Sequence, residues 1–134
     1  MLPVATGVKL SGASGWAFQL DGLITLTSDG SFGGNGIIIQ KGSDIEFFSS
    51  NNLGAINGQG YVMRRNKTGQ NARLLRFIET TEVSVHNIIL IDAPTFHLVF
   101  NDVANLDMYY ITVRYVYHDI HLLLPADNVL VVAT

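Results

Sequence analysis

The sequence has 134 residues, enough for one domain with a sizeable core. Charged residues make up 14% of it and hydrophobic residues 48%, so much of the chain is expected to be buried. The formal net charge of −3 gives no reason to predict binding to nucleic acid, and the apolar runs are far too short to span a membrane. Because there is no cysteine, disulfides cannot indicate the cellular compartment.

Short apolar runs between turn residues predict β-strands in the first half of the chain. In chain order they are 8–10, 16–18, 23–26, 37–39 and 44–48, and each is too short for an ordinary helix. Glycine then recurs at Gly54, Gly58 and Gly60. Such glycines predict close approach of neighbouring backbone or a positive φ.

The segment 61–76 is an insertion, predicted as a loop, and it is strongly basic. It holds five of the eight basic residues and no acidic residue. Because arginine pairs bidentately with carboxylates, Arg64, Arg65 and Arg73 are candidates for binding an anionic polymer. The alternative is a solvated loop whose arginines cover the edge of the fold with their aliphatic stems.

Asn66-Lys67-Thr68 within this segment is an N-glycosylation sequon. Asn66 is therefore a candidate glycosylation site, which matters only if the protein is secreted. Such sequons also arise by chance.

Residues 81–100 contain three short apolar runs, at 83–85, 88–91 and 96–100. The first two runs recur 23 residues later: Leu106 follows Val83 and Ile111 follows Ile88 at this interval. The first run returns again at Val129, and the third run returns at 120–124. Residues 44–47 match the first run 38 residues earlier, and we assign the excess to an insertion at about 63–71.

Three short strands in each period of about 23 residues predict a stacked parallel β-solenoid. Parallel strands in successive coils would lie about 4.8 Å apart and share one apolar core. A β-sandwich would also contain short strands and turn signals, so it remains the alternative. No linker or low-complexity segment divides the chain, and we predict one domain, 1–134, with a divergent part at 115–134.

The segments 54–60 (GAINGQG), 16–22 (WAFQLDG) and above all 84–97 (SVHNIILIDAPTFH) resemble fungal glycoside hydrolases of family twenty-eight. The sequence is most similar to rhamnogalacturonases and second to polygalacturonases, which usually carry Asp where this chain has Asn57. The resemblance covers roughly residues 8–114.

The resemblance implies an all-β fold, a right-handed single-stranded parallel β-helix of the pectin-lyase-like type with about five incomplete coils. It implies an acidic plant cell-wall polysaccharide, pectin, as the substrate and an extracellular location. We predict no cofactor, no metal site, no nucleic-acid or membrane partner, and a monomer if the chain is soluble. Residues 1–4 lack the features of a signal peptide, so the sequence as written gives no export signal.

The chemistry of this family requires two positioned carboxyl groups, about 6.5–9.5 Å apart for inversion. The resemblance implies an Asp-Gly-Ile-Asp strand after Arg114 and an Asp-Glu-Cys strand one coil later, and the sequence contains neither motif. The segments 115–120 and 125–131 resemble family segments that lie beyond these two strands. We therefore predict no catalytic residue in this chain.

Other residues of the sequence bear on the site. Asp44 and Glu46 lie two apart on one strand, roughly 7 Å by strand rise, but solvated strand faces explain them better. Asp21-Gly22 resembles the first missing motif but comes several coils too early. His97 lies one coil before the missing catalytic strand and is a candidate for lining the sugar cleft. The four histidines share no metal-ligand spacing.

Four hypotheses follow: an inactive part of a pectin hydrolase, a small enzyme using Asp44 and Glu46, a non-catalytic polysaccharide binder, or a structural remnant. Because a solenoid without caps exposes strand edges, we also predict poor solubility.

Overall fold

The structure is a computed structural model that describes residues 2–4, 7–28, 34–67, 72–117 and 122–125. Of the terminal strands β1, β11 and β12, only residues 112–114 have described side chains. Twelve strands and one helix lie within these ranges: β1 (Leu2–Val4), β2 (Val8–Ser11), β3 (Ser14–Gln19), β4 (Leu23–Leu26), β5 (Asn35–Gln40), β6 (Ser43–Phe48), β7 (Ala55–Asn57), α1 (Gly60–Asn66), β8 (Arg73–His86), β9 (Ile89–Ile91), β10 (Phe96–Tyr109), β11 (Thr112–Tyr117) and β12 (Leu122–Pro125).

The strands stack in parallel, each on the equivalent strand of the previous coil. One sheet has the order β1-β4-β7-β9-β11-β12, and in the other β8 pairs with β5, β6 and β10. Val83 of β8 lies opposite Leu106 of β10, and Ile89 of β9 lies opposite Thr112 of β11, so the predicted interval of 23 residues is confirmed. Ile45 lies opposite Val83, which confirms the interval of 38. This arrangement is consistent with a parallel β-helix.

Left-handed bends at equivalent places turn each coil from one face to the next. In the described residues, Lys41, Glu79 and Asp102 form one such column, and Asp44, Glu82 and Asn105 form a second. All six residues have φ between 51° and 56°. The bends let the fourteen-residue strand β8 pair with β5 through its first half and with β6 through its second half. Each coil therefore has three faces rather than two.

The core lies between the faces and is built from columns of stacked apolar side chains. The alternation of the strands directs these side chains inward. The Phe77 and Phe100 rings stack with centroids 5.3 Å apart, and the Phe18 and Phe47 rings with centroids 4.8 Å apart. Fully buried members of the columns include Ile37, Leu75, Leu98, Ile39, Phe77, Phe100, Phe47 and Val85.

The basic segment differs from the loop predicted at 61–76. Its first part is helix α1, and Arg73 already begins strand β8. The extra length of this coil is also divided between two places. The chain from Phe48 to Ala55 is longer than the equivalent turn from His86 to Ile89, and the chain from Asn57 to Arg73 is longer than that from Ile91 to Phe96. The interval between two matching strands in the sequence gives only the total number of extra residues. It does not show that they are divided between two connections, so the sequence led us to assign the whole excess to 63–71.

The final strand departs from the predicted repeat. Strand β12 pairs antiparallel with β11, with Tyr117 opposite Leu122 and Arg114 opposite Pro125, instead of continuing the parallel stack. The short connection between the two strands permits a hairpin, whereas a parallel crossover needs a dozen or more residues. Residues 118–121 and 126–134, which include His118, His121 and Val129, lie outside the described residues.

Within the described ranges, the helix found is far too short to cross a membrane. The outer edges of the second sheet are β2 and β3 on one side and β10 on the other. These edges are the basis for the expected poor solubility, which stays a prediction.

Close backbone packing at Gly54 gives a test of the coil spacing. A Cβ at Gly54 would overlap the carbonyl oxygen of Leu20, whereas a Cβ at Gly22 would meet nothing within 4 Å. We expect Gly54→Ala to lower the free energy of unfolding by about 1–3 kcal/mol, because backbone atoms must move. Gly22→Ala is the matched control and should be neutral or slightly stabilising. Urea unfolding of both variants measures the difference, and equal stabilities would contradict the coil spacing described here.

Candidate functional site

Four side chains on the first halves of β8 and β10 form what we call the basic surface: Arg73, Arg76, Phe96 and Asn101. Arg73 lies opposite Phe96 in the register, and its guanidinium carbon lies 5.9 Å from the centre of the Phe96 ring. The Nε of Arg76 donates a hydrogen bond of 2.8 Å to Oδ1 of Asn101. Burial, and then the charge of Arg73, lower the pKa of Arg76, although an arginine remains charged in a protein.

The basic surface combines two guanidinium groups, an aromatic ring and an amide on two paired strands, and Arg73 lies close enough for its charge to act on Arg76. Guanidinium groups bind carboxylates with two parallel hydrogen bonds, and an aromatic ring offers an apolar face beside them. Asn101 fixes one edge of Arg76, which leaves its other N–H groups for a ligand. Of these four residues only Arg73 was predicted from the sequence. The 23-residue interval between Arg73 and Phe96 was the signal that could have found Phe96.

Arg64, a predicted binding residue, instead pairs with Asp92. Its Nη2 lies 2.9 Å from Oδ1 of Asp92, whose side chain is only 2% exposed. The other carboxylate oxygen of Asp92 accepts the Tyr61 amide at 2.7 Å. Arg64 therefore attaches α1 to the coil, and its charge is already satisfied by a buried carboxylate.

His97 is buried, with 5% of its surface exposed. Its Nε2 accepts a hydrogen bond of 3.2 Å from the Ala93 amide. The ring therefore supports the corner between β9 and β10 and presents almost no surface to a ligand. Arg65 and Asn66 are exposed on α1, and Thr68, the last residue of the sequon, lies outside the described residues.

A separate groove with acidic walls runs across β6 and the second halves of β8 and β10. It is lined by Asp44, Glu46, Glu82 and Asp107, and we call it the acidic groove. In the register, Glu46 lies opposite Ser84 and Ser84 lies opposite Asp107. Nδ2 of Asn105 donates to Oε1 of Glu82 at 2.6 Å, so an amide lies beside this carboxylate.

The acidic groove lacks the features of a catalytic pair. Asp44 lies on a left-handed bend with φ of 53°, so the separation of roughly 7 Å expected for a regular strand does not apply to it. The side chain of Glu46 is 46% exposed and accepts from His86 at 2.7 Å. Neither carboxyl group is buried, and burial is what keeps a catalytic acid protonated.

His86 forms a stacked column with two rings that sequence analysis did not identify. Its ring lies 4.6 Å from that of Tyr109 and 5.3 Å from that of Phe48, measured between centroids. Its two nitrogens contact Oε1 of Glu46 at 2.7 Å and Oδ1 of Asn87 at 2.6 Å. Each nitrogen of the His86 ring therefore faces a side-chain oxygen.

Asp21, which resembles a catalytic motif in sequence, fixes a turn. Its carboxylate accepts from the Ser50 hydroxyl at 2.7 Å, from Gln19 at 2.6 Å and from the Ser50 amide at 2.7 Å. Hydrogen bonds from Ser50 and then Gln19 lower the pKa of Asp21 from 3.8 to about 2. A carboxyl group held ionised in this way cannot act as a general acid, which supports the earlier rejection of this motif. Among the described residues, no three His, Asp or Glu side chains could together hold a metal ion.

The lowered pKa of Asp21 predicts a specific acid response. The folded state binds the proton less tightly than the unfolded state, so the stabilisation is fully present above about pH 4 and is lost as the pH falls towards 2. We expect the wild type to unfold at a higher temperature than Asp21→Asn at neutral pH. The gap should narrow between pH 4 and pH 2 in thermal unfolding curves. A constant gap across this range would contradict the role assigned to Asp21.

The ion pair between Arg64 and Asp92 predicts that removing Arg64 lowers the stability of the fold. A role in binding alone predicts no such change. Arg64→Met leaves the buried Asp92 carboxylate without its cation, and we expect a loss of about 1–3 kcal/mol in the free energy of unfolding. Arg65→Met, next to it on α1, should change this free energy by less than about 0.5 kcal/mol. The loss should shrink when Asp92→Asn is already present, as a double-mutant cycle in urea measures. A full loss in that background would show that Arg64 acts elsewhere.

Comparison with known proteins identifies sequences that are similar to this chain. No family model matches the chain. "Probable rhamnogalacturonase A" of Aspergillus oryzae is 45% identical over 107 residues, which are 80% of this chain and 22% of that protein. Rhamnogalacturonase B of Aspergillus niger is 41% identical over 111 residues, 83% of this chain and 20% of that protein.

Rhamnogalacturonase A of Emericella nidulans is 40% identical over 111 residues, 83% of this chain and 22% of that protein. The chain spans about a fifth of the length of the curated relatives it matches. The resemblance predicted from the sequence is thereby confirmed: over about 80% of its length, this chain is a homologue of fungal rhamnogalacturonases.

Proposed function

We propose that this chain is part of a pectin-degrading glycoside hydrolase and corresponds to coils that bind the polysaccharide rather than cleave it. The observation that carries the proposal is the identity of 45% to a rhamnogalacturonase over 80% of the chain. The parallel stack of short strands supports it, because a shared fold is what such identity implies. The substrate of the whole protein would be the backbone of rhamnogalacturonan, cleaved with inversion.

The residues of this chain support a binding role more than a catalytic one. Neither catalytic motif implied by the family resemblance occurs in the sequence. Among the described carboxylates, Asp92 is paired with Arg64, Glu46 contacts His86, and Asp21 is held by four hydrogen-bond donors of the turn. Inversion also needs a buried acid, which the exposed Asp44 and Glu46 do not provide.

Within this proposal the basic surface holds the anionic polysaccharide. Galacturonate residues carry one carboxylate each, and Arg73 and Arg76 supply two neighbouring guanidinium groups. Phe96 adds an apolar ring beside Arg73, at 5.9 Å. Arg65 could add a further exposed charge from α1, whereas Arg64 and His97 have structural contacts.

The handedness of the fold, the number of coils, the cellular location and the glycosylation belong to the same proposal. We expect a right-handed helix of about five incomplete coils in a single domain, because parallel crossovers are almost always right-handed. We also expect an extracellular monomer with a glycan on Asn66, as the resemblance implies. A non-catalytic binder that acts on its own is the second candidate, and the contact between Arg76 and Asn101 favours it, because it orients a charged group for binding.

Incubation with rhamnogalacturonan and with polygalacturonate tests for catalysis. We expect no release of reducing sugar from either polymer above the rate without protein. Hydrolysis that disappears in the Asp44→Ala, Glu46→Ala double variant would favour a small enzyme that uses this pair. Hydrolysis that survives in the double variant would show that the assignment of missing catalytic residues is wrong.

Titration with polygalacturonate tests for binding. We expect Arg73→Gln and Arg76→Gln each to weaken binding by about tenfold, since each removes a charge-assisted hydrogen bond. Lys41→Gln is the matched control, because it removes one positive charge from an exposed bend outside the basic surface. Binding should weaken as salt is added. An equal effect of all three variants would indicate general charge attraction rather than a site.

A further inference from the structure

A third column of left-handed bends contains an unexpected residue. Asn52 and Asn87 have φ of 63° and 58°, and Nδ2 of Asn87 donates to Oδ1 of Asn52 at 2.7 Å. Asparagine tolerates this conformation well, and stacked asparagines hydrogen-bond to each other. The next residue of the column, 23 positions after Asn87, is Tyr110, which has φ of 51°.

Tyr110 is unfavourable at this position for the stability of the fold. A bulky residue with positive φ is strained, and such strain persists where it has a use. The Tyr110 side chain is 78% exposed, so burial does not compensate for the strain. Its ring contacts that of Tyr109 edge-on at 5.6 Å between centroids. Packing therefore does not explain why an aromatic ring occupies the end of an asparagine column.

Tyr110 lines a groove that runs along the stack across neighbouring coils. Seven other residues line the same groove, among them Leu53, Asn87, Ile89, Thr112 and Arg114. Thr112 lies directly opposite Ile89 in the register, so the groove follows the stacking direction. Its walls are mostly apolar, and Leu53 is 68% exposed although it is a leucine.

Arg114 is the one charged residue in the lining of this groove. Its side chain is exposed, and its guanidinium forms no ion pair with any residue in the described ranges. It is also the single basic residue after Arg76, in a part of the sequence with seven acidic residues. An exposed guanidinium next to an exposed aromatic ring fits an anionic ligand that also has an apolar face.

We propose that this groove binds a uronate residue of an acidic saccharide, with Arg114 on the carboxylate and Tyr110 against the sugar ring. Asn87 lines the same groove, where its amide is held by Asn52 and His86. The choice of an acidic saccharide as the ligand rests on the proposed function. The groove itself is separate from the basic surface. Uronate binding explains both the strain at Tyr110 and the presence of an exposed guanidinium in the groove, which the basic surface leaves unexplained.

The test uses the full chain and trigalacturonate, observed by nitrogen-15 NMR. We expect trigalacturonate to shift the side-chain signals of Asn87 and Arg114. Shifts at Arg73 and Arg76 without shifts at Asn87 and Arg114 would overturn this inference and leave the proposed function intact. Shifts at Asn87 and Arg114 alone would support the inference and overturn the binding role of the basic surface, and shifts at neither would overturn both.

Tyr110→Asn separates binding from folding. Because asparagine relieves the strain and extends the amide column, we expect a rise of a few degrees in the midpoint of thermal unfolding. The same variant should bind trigalacturonate at least about tenfold more weakly, whereas Thr112→Val, in the same groove, should change binding less. A Tyr110→Asn variant that binds normally, or that unfolds at a lower temperature, would contradict the inference.

Two further ligands test the chemical class. The carboxyl-reduced form of the trisaccharide should not shift the signals of Arg114, because it has no anion for the guanidinium. An acidic peptide of equal charge should bind more weakly than trigalacturonate, because it lacks a sugar ring for Tyr110. Equal binding of the reduced trisaccharide would overturn the role of Arg114, and equal binding of the peptide would overturn the assignment to a saccharide.

Discussion

The fold depends on left-handed bends that recur at the same place in successive coils. Each bend changes the direction of the chain without ending the strand, so β8 and β10 each contribute to two faces. A bend that moved by one residue would reverse the alternation after it and expose the apolar side chains. The columns that begin at Lys41 and Asp44 therefore keep the core columns aligned as much as the hydrogen bonds between strands do.

The repeat could be predicted from the sequence because it is recorded in side chains that alternate between core and solvent. The match of Val83 with Leu106 needs only that apolar residues be buried at equal intervals, and the same logic gave the pairing of Ile45 with Val83. The division of the longer coil was not predictable, because the interval between two strands does not report where the extra residues lie. The sequence predicted that strand β12 continues the parallel stack, whereas it pairs antiparallel with β11. The reason is related, because an apolar run does not show in which direction its strand runs.

The candidate site was less accessible to prediction, because charge by itself does not separate binding from structural roles. Arg64 and Arg73 lie in the same basic segment, yet one pairs with the buried Asp92 and the other lies over Phe96. The difference arises from contacts between residues distant in the chain. Tyr110 was missed for the opposite reason: an exposed tyrosine is ordinary in a sequence, and only its backbone conformation makes it informative.

The constant interval between β8 and β10, and between β9 and β11, has a consequence for how such chains change. Because neighbouring coils have the same register, a deletion of one complete period would rejoin equivalent positions and restore the stacking on both sides of the junction. A deletion of any other length would leave the joined strands out of phase. Parts of the stack that carry chemistry are thus removable without loss of the coils around them, so folding and catalysis in this architecture are separable under mutation.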